Sequence, residues 1–289
     1  MTSLIPATDG GYCLWIVTPA GYTHSRGFEE VAAGLSEAFA DLGFDAPVVT
    51  RLDQIAGRAV VLGANLLAGH PGVRPPGLVL YNLEQVQAGS AWMTPQYLDL
   101  LRAYPVWDYS ARNIAALAEQ GIAATLCGIG YAPGLSRIAP APDQDVDVLF
   151  IGSMNARRRA ALDDLAARGV RVKAAFDLYG AARDALIARA RIVINIHYYE
   201  AQVFEIVRVS YLLANRVCVV SETGLDDELE APLREGIAFA PYQGLTQACL
   251  DLLADPARRQ ALGQAGFAAF SARPQAPMLR AALGALTRG

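Results

Sequence analysis

The sequence predicts an α/β protein with two doubly wound, Rossmann-like parallel sheets, and three observations support this class. Short apolar, strand-like runs alternate with Ala/Leu-rich helical patterns along all 289 residues. Most of these runs are apolar without alternation, which is typical of parallel strands covered on both faces. A stretch rich in Pro, Gly and acidic residues at 128–145 separates two such series. We therefore expect two domains, 1–135 and 136–289, whose strands end at one shared cleft.

The first series begins with a strand at 13–18, which ends at the Pro-Ala-Gly sequence 19–21. An amphipathic helix at about 26–42 follows, and Gly43 stops it because glycine accepts the left-handed conformation at helix ends. The remaining pattern predicts strands at 59–62, 78–82 and 123–127, a strand-like stretch at 106–110, and helices at 96–103 and 111–120.

The second series begins with a strand at 147–151, which ends in Gly152-Ser153 and leads into a helix at 157–168. Alternation then continues to the end of the chain. It predicts strands at 170–175, 192–196 and 217–221, helices at 182–189 and 204–213, and a mostly helical tail from residue 245.

Composition indicates a globular protein. The chain is 53% hydrophobic and 18% charged, which supplies a core and excludes disorder. No apolar run approaches the 18 or so residues of a spanning helix, so we expect no transmembrane segment. The first twelve residues lack the pattern of a secretory signal, so we expect a cytoplasmic protein. The four cysteines are far apart and predict buried free thiols.

Charge is distributed unevenly and favours a small anionic ligand. The net charge is −4, and residues 1–135 carry 6 Arg against 11 acids. Between 151 and 191, in contrast, nine basic residues face only four acidic ones. This excess suits a phosphate-bearing small molecule, but it is too small and too interrupted for a nucleic-acid tract. We expect no nucleic-acid partner.

Several well-known site motifs do not occur in the sequence. The glycines at 128–134 have the wrong spacing for the dinucleotide fingerprint Gly-x-Gly-x-x-Gly. The chain also contains no P-loop and no Gly-x-Ser-x-Gly elbow. These absences weigh against nicotinamide or flavin chemistry, P-loop nucleotide hydrolysis and the α/β-hydrolase reaction.

Polar residues after the strands of the first series predict an acceptor-side pocket. His24 follows the first predicted strand and has the titration range of a general base, although capping or core packing remains an alternative. Glu84 follows the strand at 78–82 and is a second candidate base. The further acceptor-side candidates are Tyr22, Ser25, Asn82, Trp107, Asp108 and Ser110. Ser25, Asp108 and Ser110 are also suited to cap helices, and Trp107 to a place in the core.

The second series carries candidates for binding a diphosphate. Gly152, Ser153 and Arg157 lie where a strand passes into a helix, and backbone N–H groups at such a helix start bind anions. At least one of Arg158 and Arg159 is expected on a solvated helix face.

The stretch 195–208 is the most informative one. It leaves an apolar strand, crosses a polar and aromatic loop, and enters a helix that carries Glu205 and Arg208. Carboxylates here can accept ribose or sugar hydroxyls while an arginine balances phosphate charge. A purely structural pair at spacing i,i+3 is the alternative. The donor-side candidates from this stretch are His197, Tyr198, Glu200, Glu205 and Arg208, and Tyr179 joins them.

These residues resemble the donor-binding region of GT-B glycosyltransferases, the two-domain class that uses nucleotide-sugar donors. The resemblance is most specific at 148–153 and 192–222. The family's acidic motif, two glutamates separated by seven residues, corresponds here to His197 and Glu205, so the first carboxylate is replaced. The resemblance implies Gly152, Ser153 and Arg157 near the diphosphate and Glu205 near the ribose.

It further implies a glycosyltransferase that moves a sugar from a nucleotide-diphosphate donor to a glycan, lipid or protein acceptor. His24 or Glu84 would act as base, and no cofactor or metal is expected beyond the nucleotide sugar itself. The acids at 143, 145 and 147 have a metal-like spacing, but we interpret them as solvated linker. Two alternatives remain: a non-catalytic module that binds a nucleotide sugar or a partner protein, and a nucleotide-sugar epimerase.

Overall fold

The computed structural model describes residues 11–69, 75–87, 90–198 and 203–286. Its strands are β1 (Tyr12–Ile16), β2 (Val48–Val49), β3 (Arg58–Leu62), β4 (Leu78–Asn82), β5 (Val106–Asp108), β6 (Ala124–Leu126), β7 (Val146–Ile151), β8 (Val172–Ala175), β9 (Ala190–Asn195), β10 (Val219–Glu222) and β11 (Ala238–Ala240). Its α-helices are α1 (Glu29–Asp41), α2 (Pro95–Ala103), α3 (Ala111–Ala118), α4 (Ala156–Ala167), α5 (Gly180–Ala188), α6 (Ile206–Ala214), α7 (Asp227–Glu230), α8 (Leu245–Ala254), α9 (Pro256–Ser271) and α10 (Gln275–Leu286). None of the helices in these ranges is both long enough and apolar enough to span a bilayer.

The chain divides into two compact units. Unit 1 comprises Met1–Gly134 together with Pro274–Gly289, and unit 2 comprises Leu135–Arg273. The first division falls after Gly134, one residue before the end of the expected domain 1–135. Helix α10 belongs to unit 1, whereas the expected domain 136–289 includes it.

Unit 1 contains a six-stranded sheet in the order β2-β1-β3-β4-β5-β6. All of its pairings are parallel, and the doubly wound class that the sequence predicts is therefore confirmed for this unit. Strands β1 and β4 are buried at every position, as their unbroken apolar runs require. The sequence misses β2, because two residues are too few to carry a periodic pattern.

The helix expected at 26–42 starts later than predicted. A 3₁₀ helix, Thr23–Phe28, comes first, and α1 begins at Glu29. The reason is a buried side-chain hydrogen bond, in which the Ser25 hydroxyl donates to the carbonyl of Val17 at 2.6 Å. This bond holds the turn against the end of β1 and gives Ser25 a structural role.

Unit 2 contains a five-stranded parallel sheet in the order β11-β10-β9-β7-β8. Its core is formed by apolar side chains from the central strands and from α4 and α8, among them Phe150, Ile194 and Leu252. Strand β11, at one edge, has three residues and was not predicted. The two parallel sheets with flanking helices confirm the α/β class for the whole chain.

The four cysteines are buried and free, as the sequence predicts. Cys13 and Cys127 lie in unit 1, and Cys218 and Cys249 lie in unit 2. Burial raises the pKa of Cys127, Cys218 and Cys249 to about 12, so these thiols stay protonated.

The C-terminal helix is joined to unit 1 by buried polar contacts. The Gln275 side chain accepts a hydrogen bond from the Gly130 N–H at 2.6 Å and donates to the Gly128 carbonyl at 3.0 Å. The Gln275 backbone N–H donates to the Tyr131 carbonyl at 2.8 Å. Leu279 of the same helix is completely buried. These contacts explain why residues 274–286 belong to unit 1, although they follow unit 2 in the sequence.

Helix α9 packs against the end of α6 at backbone contact distance. A Cβ placed on Gly263 would lie 2.3 Å from the carbonyl oxygen of Arg216. Only glycine allows this approach, because real Cβ atoms do not come so near to a backbone oxygen. Gly284 in α10 is different, since a Cβ there would have no neighbour within 4 Å.

We expect Gly263→Ala to destabilise the protein by about 1–3 kcal/mol, the range for overpacking a close contact. Gly284→Ala, the matched control, should instead stabilise it by about 0.5–1 kcal/mol through its better helix propensity. Thermal melting of both variants beside the parent measures the difference. Equal melting temperatures for the two variants would contradict the close approach of α9 to α6.

Candidate functional site

The carboxyl ends of β7, β9 and β10 lie side by side in unit 2, and polar residues follow each of them. The site is built from the loop 152–155 with the start of α4, from 195–198 with the start of α6, and from the last two residues of β10. In parallel α/β sheets ligands bind at this edge. We refer to these residues as the unit 2 edge site.

Arg158 connects the loops of this site. It is buried, and its guanidinium donates to the carbonyl of Ile196 (2.9 Å from Nε) and to that of Ser153 (2.8 Å from Nη1). Its Nη2 lies 3.8 Å from Glu205 Oε1. The end of β9 and the loop after β7 are therefore held by one cation. The sequence does not single out Arg158, because its neighbours in the run 157–159 have the same residue type.

Arg157 points toward the end of β10. Its guanidinium forms a bidentate ion pair with Glu222, in which Nη1 donates to Oε2 at 2.7 Å. The same carboxylate oxygen accepts the backbone N–H of His197 at 3.0 Å. The guanidinium also stacks 3.9 Å from the ring centroid of Tyr242. Arg157 remains about one-third exposed, whereas Glu222 is almost fully buried.

His197 and Glu205 form the centre of the site. His197 is 1% exposed, and its Nδ1 lies 3.0 Å from Glu205 Oε2. The second carboxylate oxygen, Oε1, and the ring atom Nε2 of His197 accept or donate no hydrogen bond within the described part of the chain. Buried polar atoms without partners are rare in native proteins and ask for an explanation, such as a ligand.

Their protonation states are coupled. Burial alone would raise the pKa of Glu205, but His197 and Arg208 outweigh it and lower that pKa to about 2. Burial alone would lower the pKa of His197, but the Glu205 carboxylate, with help from Glu222, raises it above its usual value. Glu205 is therefore ionised across the physiological range, and His197 gains proton affinity from it.

Arg208 has a positioning role. Its Nη1 donates to the carbonyl of Ile151 at 3.3 Å, and its Nη2 donates to Asn195 Oδ1. Asn195 in turn donates to Glu205 Oε2 at 2.9 Å. A Cβ on Gly152, whose φ is 147°, would lie 2.9 Å from Arg208 Nη1, so glycine leaves space for this guanidinium. The structural alternative for this stretch was a direct i,i+3 ion pair between Glu205 and Arg208. Instead, Asn195 hydrogen-bonds to both side chains and connects them.

The structure brings most donor-side candidates together. Gly152, Ser153, Arg157, His197, Glu205 and Arg208 lie in the unit 2 edge site, and the Tyr198 ring centroid is 5.1 Å from the Arg158 guanidinium. Tyr179 precedes α5, after the edge strand β8. Glu200 lies outside the described residues. The sequence patterns do not single out Arg158, Asn195, Glu222 or Tyr242. Two of these residues, Asn195 and Glu222, are the polar last residues of their strands.

In unit 1, the polar residues at the ends of β4 and β5 form a closed, buried network. Asn82 donates to Asp108 Oδ2 at 2.6 Å and accepts from the Tyr97 hydroxyl at 2.9 Å. Asp108 also accepts from the Ser110 N–H at 2.8 Å and from Asn113 at 3.1 Å. These contacts connect two loops of the unit and use the polar atoms that the sequence analysis assigned to an acceptor.

Five acceptor-side candidates therefore have structural positions instead. Asn82 and Asp108 are completely buried in the network, and Ser110 caps α3 by accepting the Asn113 N–H at 3.2 Å. Trp107 is a core residue whose ring contacts Tyr81 edge to face, at 6.2 Å between centroids. Ser25, as described above, is bound to the end of β1.

Glu84, Tyr22 and His24 are the candidates that remain partly exposed. Burial raises the pKa of Glu84 to about 7, and its Oε1 accepts a hydrogen bond from Asn65 at 3.2 Å. Burial and the Glu84 carboxylate raise the pKa of Tyr22, whose ring contacts that of His24 at 5.2 Å. The pKa of Glu84 therefore allows this residue to exchange a proton near neutral pH.

Two of the three acids at 143, 145 and 147 are paired with arginines. Asp145 pairs with Arg189, and Asp147 pairs with Arg171 and Arg191 at 2.8 and 2.9 Å. Among the described ranges, no group of three or more His, Cys, Asp or Glu side chains has the arrangement of a metal site.

Solved structures of glycosyltransferases have the same fold. HepE from Anabaena in complex with UDP-glucose aligns over 97% of this chain and 100% of its own, with a TM-score of 0.59 and 12% identity. Sucrose-phosphate synthase from Thermosynechococcus elongatus aligns over 96% and 98%, with a TM-score of 0.58 and 15% identity. A glycosyltransferase from Rickettsia africae aligns over 94% and 96%, with a TM-score of 0.54 and 10% identity. The chain thus has the GT-B glycosyltransferase fold, as the sequence resemblance implies.

Two viral proteins are similar in sequence. Protein L140 of Acanthamoeba polyphaga mimivirus is 31% identical over 191 residues, which are 61% of this chain and 59% of L140. Protein L138 of the same virus is 32% identical over 113 residues, which are 38% of this chain and 13% of L138. Both relatives are described as uncharacterized proteins, and the chain spans less than two thirds of either one. No protein-family model matches the chain.

The coupling of His197 to Glu205 predicts a pH-dependent stability. The pKa of His197 is raised on folding, so its contribution is full below the unfolded value of 6.5 and is lost as the pH rises through the folded value. The free energy of unfolding of the parent should therefore fall more between pH 6 and pH 8 than that of His197→Gln. Denaturant titrations at both pH values measure this. Parallel pH profiles for the two proteins would contradict the coupling.

Proposed function

We propose that the protein is a glycosyltransferase that transfers a sugar from a nucleoside-diphosphate donor, with the donor bound at the unit 2 edge site. The observation that carries this proposal is a pair of buried atoms, Glu205 Oε1 and His197 Nε2, that form no hydrogen bond with any residue the structure describes. One is a charged acceptor and the other a ring nitrogen, and together they match the hydroxyl groups of a ribose or a sugar. The GT-B fold and the nucleotide complexes of HepE support the same assignment.

The site can also hold a diphosphate. Arg157 is the guanidinium with the greatest exposure in the site, and its bidentate pairing with Glu222 fixes its orientation before any ligand arrives. The backbone at 153–155, directly before α4, adds N–H groups at the positive end of a helix dipole. These charges would stabilise the departing nucleoside diphosphate.

On the acceptor side we assign the base to Glu84, with His24 as the competing candidate. A carboxyl group with a pKa of about 7 is about half ionised at neutral pH, which is the range in which a general base works best. Tyr22 lies close enough for its pKa to respond to Glu84, so the two can act on the same acceptor hydroxyl.

A non-catalytic binding module is the second candidate function. His197 stands where the family pattern has its first glutamate, and the Arg157–Glu222 ion pair occupies the guanidinium that would meet the diphosphate. Such a module would bind the nucleotide sugar without cleaving it. Release of nucleoside diphosphate from the donor separates the two functions.

Glu205→Gln should weaken the binding of UDP by about 1.5–3 kcal/mol, because a hydrogen bond to a charged group is lost. Calorimetric titration of UDP into the parent and the variant measures this, with exposed Glu235→Gln as the charge-matched control. If UDP does not bind the parent, the same comparison is made with GDP, dTDP and ADP. No binding of any nucleoside diphosphate, or unchanged affinity in Glu205→Gln, would contradict the donor site.

Transferase activity of the parent should rise with pH through about 7, because the base must lose its proton. In Glu84→Gln this rise should disappear, and the rate should fall by about 10²–10⁴-fold. His24→Asn should retain the rise. A pH profile that flattens in His24→Asn and survives in Glu84→Gln would transfer the role to His24.

Activity should persist after treatment with EDTA, because guanidinium groups and a helix start provide the charge that a metal would otherwise supply. Arg157→Gln, which removes part of that charge, should lose at least tenfold in rate under the same conditions. Loss of activity in EDTA that Mg²⁺ or Mn²⁺ restores would contradict this expectation.

A further inference from the structure

A second cavity lies at the opposite edge of the unit 2 sheet. It has a volume of about 620 Å³ and is lined by residues at the start of β9, before β10, at the start of α9 and in the linker 138–144. Its volume is in the range of small-molecule sites. The lining belongs entirely to unit 2 and includes none of the residues of the unit 2 edge site.

The lining of this cavity is cationic. Three arginines, Arg191, Arg216 and Arg259, contribute to it, and none of the described residues that line it is Asp or Glu. Arg191 Nη1 donates a hydrogen bond to Asp147 at 2.9 Å, and Arg259 Nη1 donates to the carbonyls of Leu252 and Leu253. In the described part of the chain, Nη2 and Nε of both guanidinium groups form no hydrogen bond. An arginine cluster of this kind favours phosphate, which guanidinium groups bind in bidentate geometry.

Arg216 supplies an independent observation. Its φ is 57°, in the left-handed region, and only one other non-glycine residue in the described ranges, Asp177, has a positive φ. It comes directly after Asn215, the C-cap of α6, at a position where glycine is preferred, so a residue with a Cβ there has a conformational cost. The guanidinium stacks on Phe267, 3.6 Å from the ring centroid, and has no carboxylate partner among the residues that the structure describes.

The apolar part of the lining indicates what else the ligand carries. Ile138, Pro140, Ile187 and Val217 share the cavity with the arginines. The linker that contributes Ile138 is fixed by Asn215, whose Oδ1 accepts the N–H groups of Arg137 and Ile138 at 2.8 and 2.7 Å. The cavity wall is therefore built by buried hydrogen bonds as well as by surface side chains.

We propose that this cavity is a second binding site, for a small organic phosphate whose phosphate meets Arg191, Arg216 and Arg259 and whose apolar portion meets the linker. The site is distinct from the one assigned to the donor, and the proposal does not depend on the glycosyltransferase assignment. A phosphate monoester carries up to two negative charges near neutral pH, which three guanidinium groups balance better than they balance a monocarboxylate.

The test is a calorimetric titration of the whole chain with phenyl phosphate at low salt. Arg216→Gln and Arg191→Gln should each weaken binding at least tenfold. Arg258 lies beside Arg259 on α9 but does not line the cavity. Arg258→Gln should therefore change the affinity for phenyl phosphate less than twofold. Benzoate should bind at least tenfold more weakly than phenyl phosphate.

Several outcomes would overturn the proposal. One is the absence of phenyl phosphate binding, and another is equal weakening in Arg216→Gln and Arg258→Gln, which would indicate general charge attraction. Equal affinity for benzoate would exclude the phosphate class. Arg157→Gln tests the location: binding that survives in it supports a second site, and binding abolished by it places the probe at the unit 2 edge site instead. If Arg216→Gln melts below the parent, Arg216→Gly replaces it, because glycine accepts the left-handed backbone.

Discussion

The unit 2 edge site depends on one buried cation. Arg158 joins the carbonyl of Ser153 to that of Ile196 and stands beside the Glu205 carboxylate. A buried charge is tolerated only where hydrogen bonds and a counter-charge replace its hydration, and here two carbonyls and a carboxylate do so. Because these partners come from two different loops, the position of each loop follows from the requirements of one guanidinium. Glu205 and His197 are then held where their remaining atoms stay unused.

The polar side chains at the carboxyl ends of the two sheets differ in their hydrogen bonding. In unit 1, Asn82, Asp108 and Asn113 form hydrogen bonds with one another, and the network is closed. In unit 2, Glu205 Oε1 and His197 Nε2 form no hydrogen bond with the described residues, although the Arg158 guanidinium lies 3.8 Å from Oε1. A closed network fixes loops, whereas an open one also has hydrogen-bonding capacity for a ligand. This difference favours donor recognition in unit 2 and a positioning role for the polar residues of unit 1.

Much of the fold follows from the sequence, because unbroken apolar runs such as 78–81 in β4 and 148–151 in β7 leave few alternatives. Helix boundaries were harder to predict where a side-chain hydrogen bond shifts them. The hydrogen bond of Ser25 to Val17, for example, places the start of α1 at Glu29 instead of residue 26. For the unit 2 edge site, the sequence predicted that Glu205 and Arg157 belong to it. It did not predict which of the three arginines at 157–159 is buried. In unit 1, Glu84, Asp108 and Asn82 all follow the same sequence pattern, a polar residue at the end of an apolar strand. The pattern does not distinguish a residue that faces a ligand, as proposed for Glu84, from residues that face one another, as Asp108 and Asn82 do. Only three-dimensional contacts separate these cases.

The return of α10 to unit 1 makes unit 2 an insertion between two parts of its neighbour. The chain leaves unit 1 after Gly134 and re-enters it at Pro274, where the Gln275 N–H bonds to the Tyr131 carbonyl. During synthesis, all residues of unit 2 emerge before the last element of unit 1 does. Unit 1 can therefore be completed only after unit 2 has been made, and until then the surface that Leu279 and Leu283 cover is exposed.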